Sequence, residues 1–362
     1  MKPIALDAMG GDHAPKATVA GALLAAKEGI PVLLVGQIEV LHQELKNQGG
    51  DLPIQDAREL ITMSDHATDV RKKRGASINV CMELVKKGDA SAVVAMGHTG
   101  ATLASALFNL GRIKGVERPT LLIEMPSERG RVYLADGGAN VDCKPGWLVQ
   151  FAVMATAYAQ AQGVKGPTVG LLSIGEEEEK GNALTLETFP LLESTPGIRF
   201  HGNVEGRDIF KGTTDIVVTD GYTGNVVLKL SEGEARTLLK WIREALTSSF
   251  VAKIGGLLVR NALQNLRAKM DPAEYGAMPL LGVEGPVFIG HGSADGRAVL
   301  SAIRKAKSVV EAGLVERVRG NNLRYLIREK CRGARPCAPT RVGRPLDGDW
   351  HGRIPSSVKV YC

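Results

Sequence analysis

The stretch IALDAMGGDHAPKATVAGALLAAK, residues 4–27, indicates the fold class. It begins with a short apolar run, Ile4 to Leu6, and passes through a loop of glycine and small polar residues. It then continues into an alanine- and leucine-rich helical pattern from Thr18 to Lys27. A strand, a tight glycine loop and a helix in this order are typical of a βαβ unit.

The same order recurs along the chain. Apolar runs predict further strands at residues 32–35, 92–95, 120–123, 132–135, 169–173, 216–219 and 287–289. Helical patterns cover residues 77–87, 148–160 and 298–310. No internal repeat or linker divides the first 319 residues, so we predict one α/β domain with a mostly parallel sheet.

Composition and charge restrict the partners. Hydrophobic residues make up 44% of the 362 residues and charged residues 23%, as in an ordinary globular protein. Aromatic residues, at 4%, are too few for a surface that stacks on bases. The net charge of +6 comes entirely from the segment Gly320 to Cys362, so the rest of the chain is neutral and we predict no nucleic-acid partner.

The cysteines and the amino terminus indicate a cytoplasmic protein. Of five cysteines, only Cys81 and Cys143 lie outside the basic tail, and their spacing fits neither a disulfide framework nor a zinc site. No apolar run reaches the length of a membrane span, which is about 18 residues. Asp7 follows the first apolar residues too early for a signal peptide.

Six of the predicted strands lead into loops of glycine and small polar residues. Because the carboxyl ends of parallel strands lie at one edge of a sheet, we expect these loops to form one continuous ligand site. The loops are Asp7–His13, Met96–Gly100, Asp136–Asn140, Ile174–Asn182, Asp220–Asn225 and Gly290–Asp295.

Two of these loops have the character of anion sites. Gly97-His98-Thr99-Gly100 and Gly221-Tyr222-Thr223-Gly224-Asn225 stand where a strand passes into a helix, so free backbone N–H groups and the helix dipole favour a phosphate. Either loop alone is equally well explained as a tight turn. Neither is a dinucleotide fingerprint or a lysine-bearing phosphate loop, so a nucleotide is not indicated.

Charged loop residues leave alternatives open. Lys180 follows four glutamates and is either part of a solvated loop or a cation that faces phosphate or a thioester oxyanion. His13, His98 and His291 are each a general base, a phosphate contact or a surface group. Aspartates after strands (Asp7, Asp12, Asp136, Asp220) suggest a metal cluster, but capping of turns is favoured, and we predict no metal.

The segment from Ser249 to Met270 is basic and amphipathic. It alternates apolar residues such as Ile254, Leu257 and Leu258 with cations such as Arg260, and Gly255-Gly256 interrupts it. Such a segment suits a membrane surface or an acidic partner, and it equally suits packing in a dimer or a core.

At these residues the sequence resembles the phosphate acyltransferase (acyl-ACP:phosphate transacylase) family over roughly residues 1–318. The resemblance rests on motifs in order along the chain: Ile4–Asp12, Met96–Ala101, Asp136–Cys143, Gly175–Gly181, Gly202–Ile209, Asp220–Val226, Pro279–Gly282 and His291–Asp295.

The resemblance implies a Rossmann-like αβα sandwich, related to phosphotransacetylases and isopropylmalate-type dehydrogenases. It also implies a homodimer, peripheral at the inner face of the membrane, that forms acyl phosphate from acyl carrier protein and inorganic phosphate without a cofactor. The acyl phosphate would serve the downstream glycerol-3-phosphate acyltransferase, itself a possible partner.

Particular residues follow from the same motifs. The resemblance implies Lys180 and Asn225 as catalytic, the lysine holding phosphate or polarising the carbonyl and the asparagine orienting it or stabilising the oxyanion. Phosphate and acyl-donor contacts fall on the strand-end loops: Gly10, Gly11, Asp12, Gly97, His98, Thr99, Gly100, Asn140, Asp220, Gly221, Thr223 and Gly224.

The sequence departs from the family in two places. His98 stands where the family usually has asparagine, and both side chains can donate to phosphate. Residues 319–362 match nothing in the family and are rich in Arg, Pro and Gly, so we expect a disordered tail. Two other functions remain open: a phosphotransacetylase that uses acyl-CoA, and a non-catalytic scaffold that recruits partners through Ser249 to Met270.

Overall fold

The computed structural model describes residues 1–62, 64–263 and 277–321. Its centre is an eleven-stranded sheet with the order β3-β2-β1-β4-β11-β10-β5-β6-β9-β7-β8. The strands are β1 (Ile4–Asp7), β2 (Val32–Gly36), β3 (Ile54–Asp56), β4 (Ala92–Ala95), β5 (Thr120–Ser127), β6 (Gly130–Ala135), β7 (Thr168–Leu172), β8 (Arg199–Val204), β9 (Ile216–Val218), β10 (Met278–Leu281) and β11 (Val287–Ile289).

Helices cover both faces of this sheet. They are α1 (Lys16–Lys27), α2 (Ile38–Asn47), α3 (Ser77–Lys87), α4 (Thr99–Asn109), α5 (Pro145–Ala161), α6 (Ala183–Glu193), α7 (Gly206–Lys211), α8 (Gly221–Thr247), α9 (Phe250–Leu258) and α10 (Gly296–Glu311). Residues 67–71 form a 3₁₀ turn, and residues 260–263 and 314–321 are also helical. The α/β sandwich is confirmed.

The core has the pattern expected of a sheet that is covered on both faces. All four residues of β1 are buried, and so are all four of β4, so these strands read as apolar runs without alternation. One face packs against α1, α5, α6 and α10, and the other packs against α3, α4, α7 and the start of α8.

The direction of the strands differs from expectation. β1, β2, β3, β4 and β11 are parallel, but β10 is antiparallel to both of its neighbours, β11 and β5, and β6 is antiparallel to β5. β6, β9, β7 and β8 are again parallel among themselves. The prediction of one common edge is therefore wrong, because the loops after β6, β7 and β9 leave the sheet in the direction opposite to those after β1, β4 and β11.

The two helices after β9 extend away from the core. Of the 27 residues of α8, only Gly221 and Gly224 are buried, and α9 buries none. The expected interruption at Gly255-Gly256 is wrong, since α9 runs through both glycines and the break between the helices falls at Ser248 and Ser249. The remainder of the segment, residues 264–270, lies outside the described residues, and so does the tail from residue 322 onward.

Candidate active site

The loops after β1, β4 and β11 pack directly on one another, and we call them the first loop cluster. A Cβ atom on Gly10 would lie 3.3 Å from the Cα of Gly97, so the two backbones touch. Gly11 has φ +101°, and a Cβ there would lie 2.8 Å from the carbonyl oxygen of Met96. The N–H of Asp12 donates to the carbonyl of Gly292 at 2.8 Å, which joins the third loop to the first.

The loops after β6 and β9 form the second loop cluster, and a buried carboxylate organises it. Asp136 is fully buried and accepts hydrogen bonds from the N–H groups of Leu121, Ala139 and Asn140 and from the side chains of Thr120 and Asn140. Burial raises the pKa of the Asp136 carboxyl, and the hydrogen bonds oppose this rise. The N–H of Gly221 donates to the carbonyl of Asn140, which ties the two loops together.

A cavity of about 1210 Å³, which we call the cleft, extends between the two loop clusters. Groups of the first cluster line part of the cleft, and Gly137, Gly138 and Asn225 of the second line another part. Apolar side chains from α4, β5, α8 and β10 also line it: Leu103, Leu121, Ile123, Met125, Leu228, Leu238, Leu239 and Met278. The cleft thus combines polar loop groups with a large apolar lining.

Five of the sequence-predicted residues line the cleft: Asp12, Gly97, Thr99, Gly100 and Asn225. The other sequence-predicted residues of the two loop clusters lie outside the cleft wall. These are Gly10, Gly11, His98, Asn140, Asp220, Gly221, Thr223 and Gly224.

Helix capping accounts for two of these supporting residues. His98 is the N-cap of α4, and its Nδ1 accepts a hydrogen bond from the N–H of Ala101 at 3.2 Å. Asp220 is the N-cap of α8 and accepts from both the N–H and the hydroxyl of Thr223 at 2.8 Å. Asparagine is also a good N-cap residue, so histidine can replace it at position 98 with the helix start preserved.

Lys180 lies outside the wall of the cleft. It is exposed in the loop after β7, where its N–H donates to the carbonyl of Glu177 and its carbonyl accepts from the hydroxyl of Ser173. β7 pairs directly with β9, so this loop leaves the sheet beside the loop that carries Asn225. Its catalytic role stays a prediction.

Sequence reasoning missed several charged and polar residues of the cleft. Lys305 of α10 pairs with Glu124 of β5 at 2.7 Å, both side chains are largely buried, and burial lowers the pKa of the lysine. Glu124 also pairs with Arg131. A helix face and an apolar strand carry these residues, so no local motif signals them. His291 and Ser293 also line the cleft, where the sequence leaves the role of the histidine open and gives no signal for the serine.

Three further results concern metal binding, thiol chemistry and the membrane. Across residues 1–62, 64–263 and 277–321 no group of three or more His, Cys, Asp or Glu side chains could hold a metal ion. Burial raises the pKa of the half-buried Cys143 thiol to about 12, so that thiol is a poor nucleophile near neutral pH. None of the described helices has the length and apolar character to cross a membrane.

The fold is that of the phosphotransacylase class of α/β proteins. A phosphotransacetylase from Streptococcus pyogenes superimposes with a TM-score of 0.56 at 18% identity, covering 85% of this chain and 94% of that one. A branched-chain phosphotransacylase from Enterococcus faecalis gives a TM-score of 0.53 at 16% identity, covering 86% and 99% of the two chains. At such identities the likeness establishes the fold alone.

Sequence comparison establishes the family. The family model described as "Fatty acid synthesis protein" matches residues 2–317. A phosphate acyltransferase from Thermus thermophilus is 64% identical over 316 residues, 87% of this chain and 97% of its relative. Another from Deinococcus radiodurans is 57% identical over 278 residues, 75% and 77% of the two chains. The chain belongs to the phosphate acyltransferase family and is an acyltransferase of lipid synthesis.

Proposed function

We propose that this protein transfers a fatty acyl group from acyl carrier protein to inorganic phosphate. The acyl phosphate is then the donor for acylation of glycerol 3-phosphate in phospholipid synthesis. The observation that carries the proposal is the cleft, which joins loops suited to an anion with an apolar wall suited to a hydrocarbon chain. The relatives named phosphate acyltransferase support the reaction class.

The apolar wall supports a long-chain substrate. The cleft volume of about 1210 Å³ exceeds the 300–1,000 Å³ that is typical of small-molecule pockets. Each methylene group that moves from water into such a wall contributes about 0.8 kcal/mol. We therefore expect the apparent KM to fall as the acyl chain of the donor lengthens.

The first loop cluster supports phosphate binding. Gly97, Thr99 and Gly100 line the cleft where α4 begins, and Thr99 and Gly100 belong to its first turn. Backbone N–H groups at this position have no partner within the helix and favour an anion. Glycine at positions 97 and 100 allows a phosphate oxygen to approach the backbone closely.

The proposed reaction is a direct displacement. An oxygen of hydrogen phosphate attacks the thioester carbonyl carbon, a C–O bond forms, and the carbonyl becomes an oxyanion. The C–S bond then breaks, and the phosphate proton ends on the thiol of the carrier protein. Asn225 donates its amide N–H to the oxyanion, and Lys180, in the loop beside the one that carries Asn225, holds phosphate or polarises the carbonyl.

The decisive experiment measures acyl phosphate formed from palmitoyl-ACP and inorganic phosphate. We expect phosphate-dependent product from the intact protein, with Asn225→Ala and Lys180→Ala each reducing kcat by about 100-fold, the cost of one oxyanion donor. Lys165→Ala, in an exposed turn before β7, is the matched control and should leave kcat unchanged.

Each outcome separates one hypothesis from another. Product from palmitoyl-CoA but not from palmitoyl-ACP would replace the proposal with a phosphotransacetylase. No product from folded protein with either donor would favour the scaffold. Full activity of Lys180→Ala would retain the function and remove the lysine from the mechanism.

The exposed face of α8 supports a homodimer. Tyr222, Val226, Leu230 and Trp241 are all largely exposed and lie along one stripe of the helix. A second copy that packs the same stripe against this one would bury it. Sedimentation equilibrium tests this proposal: Leu230→Glu should shift the protein toward monomer, and Leu191→Glu on the exposed face of α6 should not.

The surface of α9 supports transient contact with the inner face of the membrane. Phe250, Val251, Leu257 and Leu258 are at least 68% exposed, and Ile254 is 49% exposed. Lys253 and Arg260 supply charges that suit anionic lipid and also the acidic carrier protein. Flotation with anionic vesicles should be lost in Leu258→Asp and retained in Leu191→Asp, and unaltered flotation of Leu258→Asp would exclude α9 as the contact.

The downstream glycerol-3-phosphate acyltransferase is the remaining partner in the proposal. Acyl phosphate hydrolyses readily, so transfer to glycerol 3-phosphate benefits from enzymes that lie close together on one membrane surface. Loss of co-flotation with that acyltransferase in Leu258→Asp would support this arrangement.

A further inference from the structure

We propose that His291 is a neutral hydrogen-bond donor to a substrate oxygen in the cleft, and that Ser293 fixes the tautomer that makes it one. This role rests on the proposed acyl transfer to phosphate. It adds a third substrate-contacting residue, which belongs to the first loop cluster, to Asn225 and Lys180. It also gives the histidine the role of a hydrogen-bond donor and not that of a base.

The fold holds the histidine in a defined place. His291 and Ser293 follow β11, and both line the cleft. Between them, the carbonyl of Gly292 accepts the N–H of Asp12, and the carbonyl of His291 accepts the N–H of Ala294 at 3.0 Å. The loop is thus bonded both to the loop after β1 and to itself.

Ser293 determines which ring nitrogen carries the proton. Its backbone N–H donates to Nδ1 of His291 at 3.2 Å, and its hydroxyl lies 2.8 Å from the same nitrogen. A backbone N–H cannot accept a hydrogen bond, so Nδ1 must offer its lone pair. In the neutral ring the proton is then on Nε2.

The other nitrogen is available to a ligand. Within the part of the chain that the structure describes, Nε2 of His291 has no hydrogen-bond partner. His98 differs in that its Nδ1 caps α4 and its ring is not part of the cleft wall. Of the two histidines in the first loop cluster that accept backbone N–H groups, only His291 belongs to the cleft wall.

A donor is favoured over a base by the same geometry. For Nε2 to remove a proton it must first lose its own, and the proton would then sit on Nδ1 opposite the N–H of Ser293. A proton on Nδ1 would remove the hydrogen bond from the backbone N–H of Ser293 and leave only the hydroxyl of Ser293 as a partner, now as acceptor. The charged groups nearby are Asp12, Asp295 and Arg297, and Asp295 is already engaged by Arg297 at 3.3 Å and by the first N–H groups of α10.

Two substitutions at one position distinguish donor from base. His291→Gln keeps a neutral N–H donor, whereas His291→Ala removes it. We expect kcat to fall about 100-fold in the alanine variant, as for loss of an oxyanion donor, and by less than about 10-fold in the glutamine variant. The pH profile of kcat should keep its shape in His291→Gln.

The opposite results would overturn the proposal. If His291→Gln is as impaired as His291→Ala and the acidic limb of the pH profile disappears, His291 is a base. If His291→Ala retains full kcat while the wild type makes acyl phosphate, the histidine is not at the reacting atoms. Ser293→Ala tests positioning and should lower kcat less than His291→Ala does.

Spectroscopy separates this inference from the proposed function. In ¹⁵N-histidine-labelled protein, the His291 signals, assigned by their absence from His291→Gln, should show an unprotonated Nδ1 and a protonated Nε2. Inorganic phosphate and palmitoyl-ACP are titrated separately, and the substrate that supplies the oxygen should shift the Nε2 signal in a saturable way. The protonation pattern of the ring can be observed whether or not the wild type forms acyl phosphate. A protonated Nδ1 would contradict the inference even in a protein that forms acyl phosphate.

Discussion

The two loop clusters have the same kind of sequence but differ in where their polar groups are directed. Each consists of strand ends followed by aspartate, glycine and small polar residues. The second cluster directs its polar groups inward, because five donors converge on the buried carboxylate of Asp136. In the first cluster, the buried carboxylate is that of Asp7. It accepts hydrogen bonds from the hydroxyl of Ser77 and from the backbone N–H groups of Met9 and Gly10.

This difference separates scaffold from binding surface. The first cluster presents backbone and side chains of Asp12, Thr99, His291 and Ser293 to the cleft. The second presents little beyond Gly137, Gly138 and Asn225, and its carboxylate fixes the backbone that carries them. Loops with the same glycine-rich pattern therefore cannot be assigned to catalysis or to support without knowing where their polar atoms point.

The largest expected effect comes from removing the central carboxylate of the second cluster. Asp136→Ala would leave the buried N–H groups of Leu121, Ala139 and Asn140 without acceptors. We expect the free energy of unfolding to fall by about 4 kcal/mol, measured by urea titration.

The matched change in the first cluster is Asp12→Asn, at an exposed carboxylate on the cleft. It should alter the free energy of unfolding by less than about 0.5 kcal/mol. Equal losses in the two variants would abolish the distinction between scaffold and binding surface.

A smaller effect is expected where α8 meets Asp136. A Cβ atom on Gly224 would overlap the carbonyl oxygen of Asp136, which belongs to backbone that cannot easily move. Gly224→Ala should therefore destabilise the protein by about 1–3 kcal/mol, as overpacking does.

Gly233 in the same helix provides the control. A Cβ atom there would meet nothing within 4 Å, and the residue is exposed. Gly233→Ala should stabilise the protein by up to about 1 kcal/mol through helix propensity. Thermal unfolding of the two variants should shift in opposite directions, and a shared direction would refute the packing argument.

The smallest effect concerns the pH dependence conferred by Asp7. Burial raises the pKa of its carboxyl above the unfolded value of 3.8, and hydrogen bonds from Ser77 and the backbone oppose this. The stability that this group contributes is full below the unfolded pKa and is lost as pH rises toward the folded pKa. The loss cannot exceed about 1.4 kcal/mol per pH unit for a single proton.

Asp7→Asn has no such titration. Between pH 4 and pH 7 the variant should therefore gain stability relative to the wild type as pH rises. Urea unfolding at several pH values measures this difference. A constant difference, or a gain by the wild type, would show that hydrogen bonding outweighs burial at this carboxylate.

The sequence by itself determined the local elements and the family. Continuous apolar runs predicted the strands because strands covered on both faces have no polar side, and the motifs from residue 4 to residue 295 carried the resemblance that comparison confirmed. The predicted interruption at Gly255-Gly256 was wrong, because α9 is continuous through both glycines. Glycine lowers helix propensity by only about 1 kcal/mol, too little to decide a helix.

Only the tertiary structure decided which loops meet and what each polar group does. The reversal of strand direction through β10, β5 and β6 separates the loops into two clusters, and a single apolar run does not indicate the direction of its neighbours. Lys305 and Glu124 meet from distant parts of the chain, as do Asp136 and the donors around it. Hydrogen bonds and burial depend on position in space and not on local sequence. Two loops with the same glycine-rich pattern therefore place Asp136 in the interior as a structural residue and His291 in the wall of the cleft.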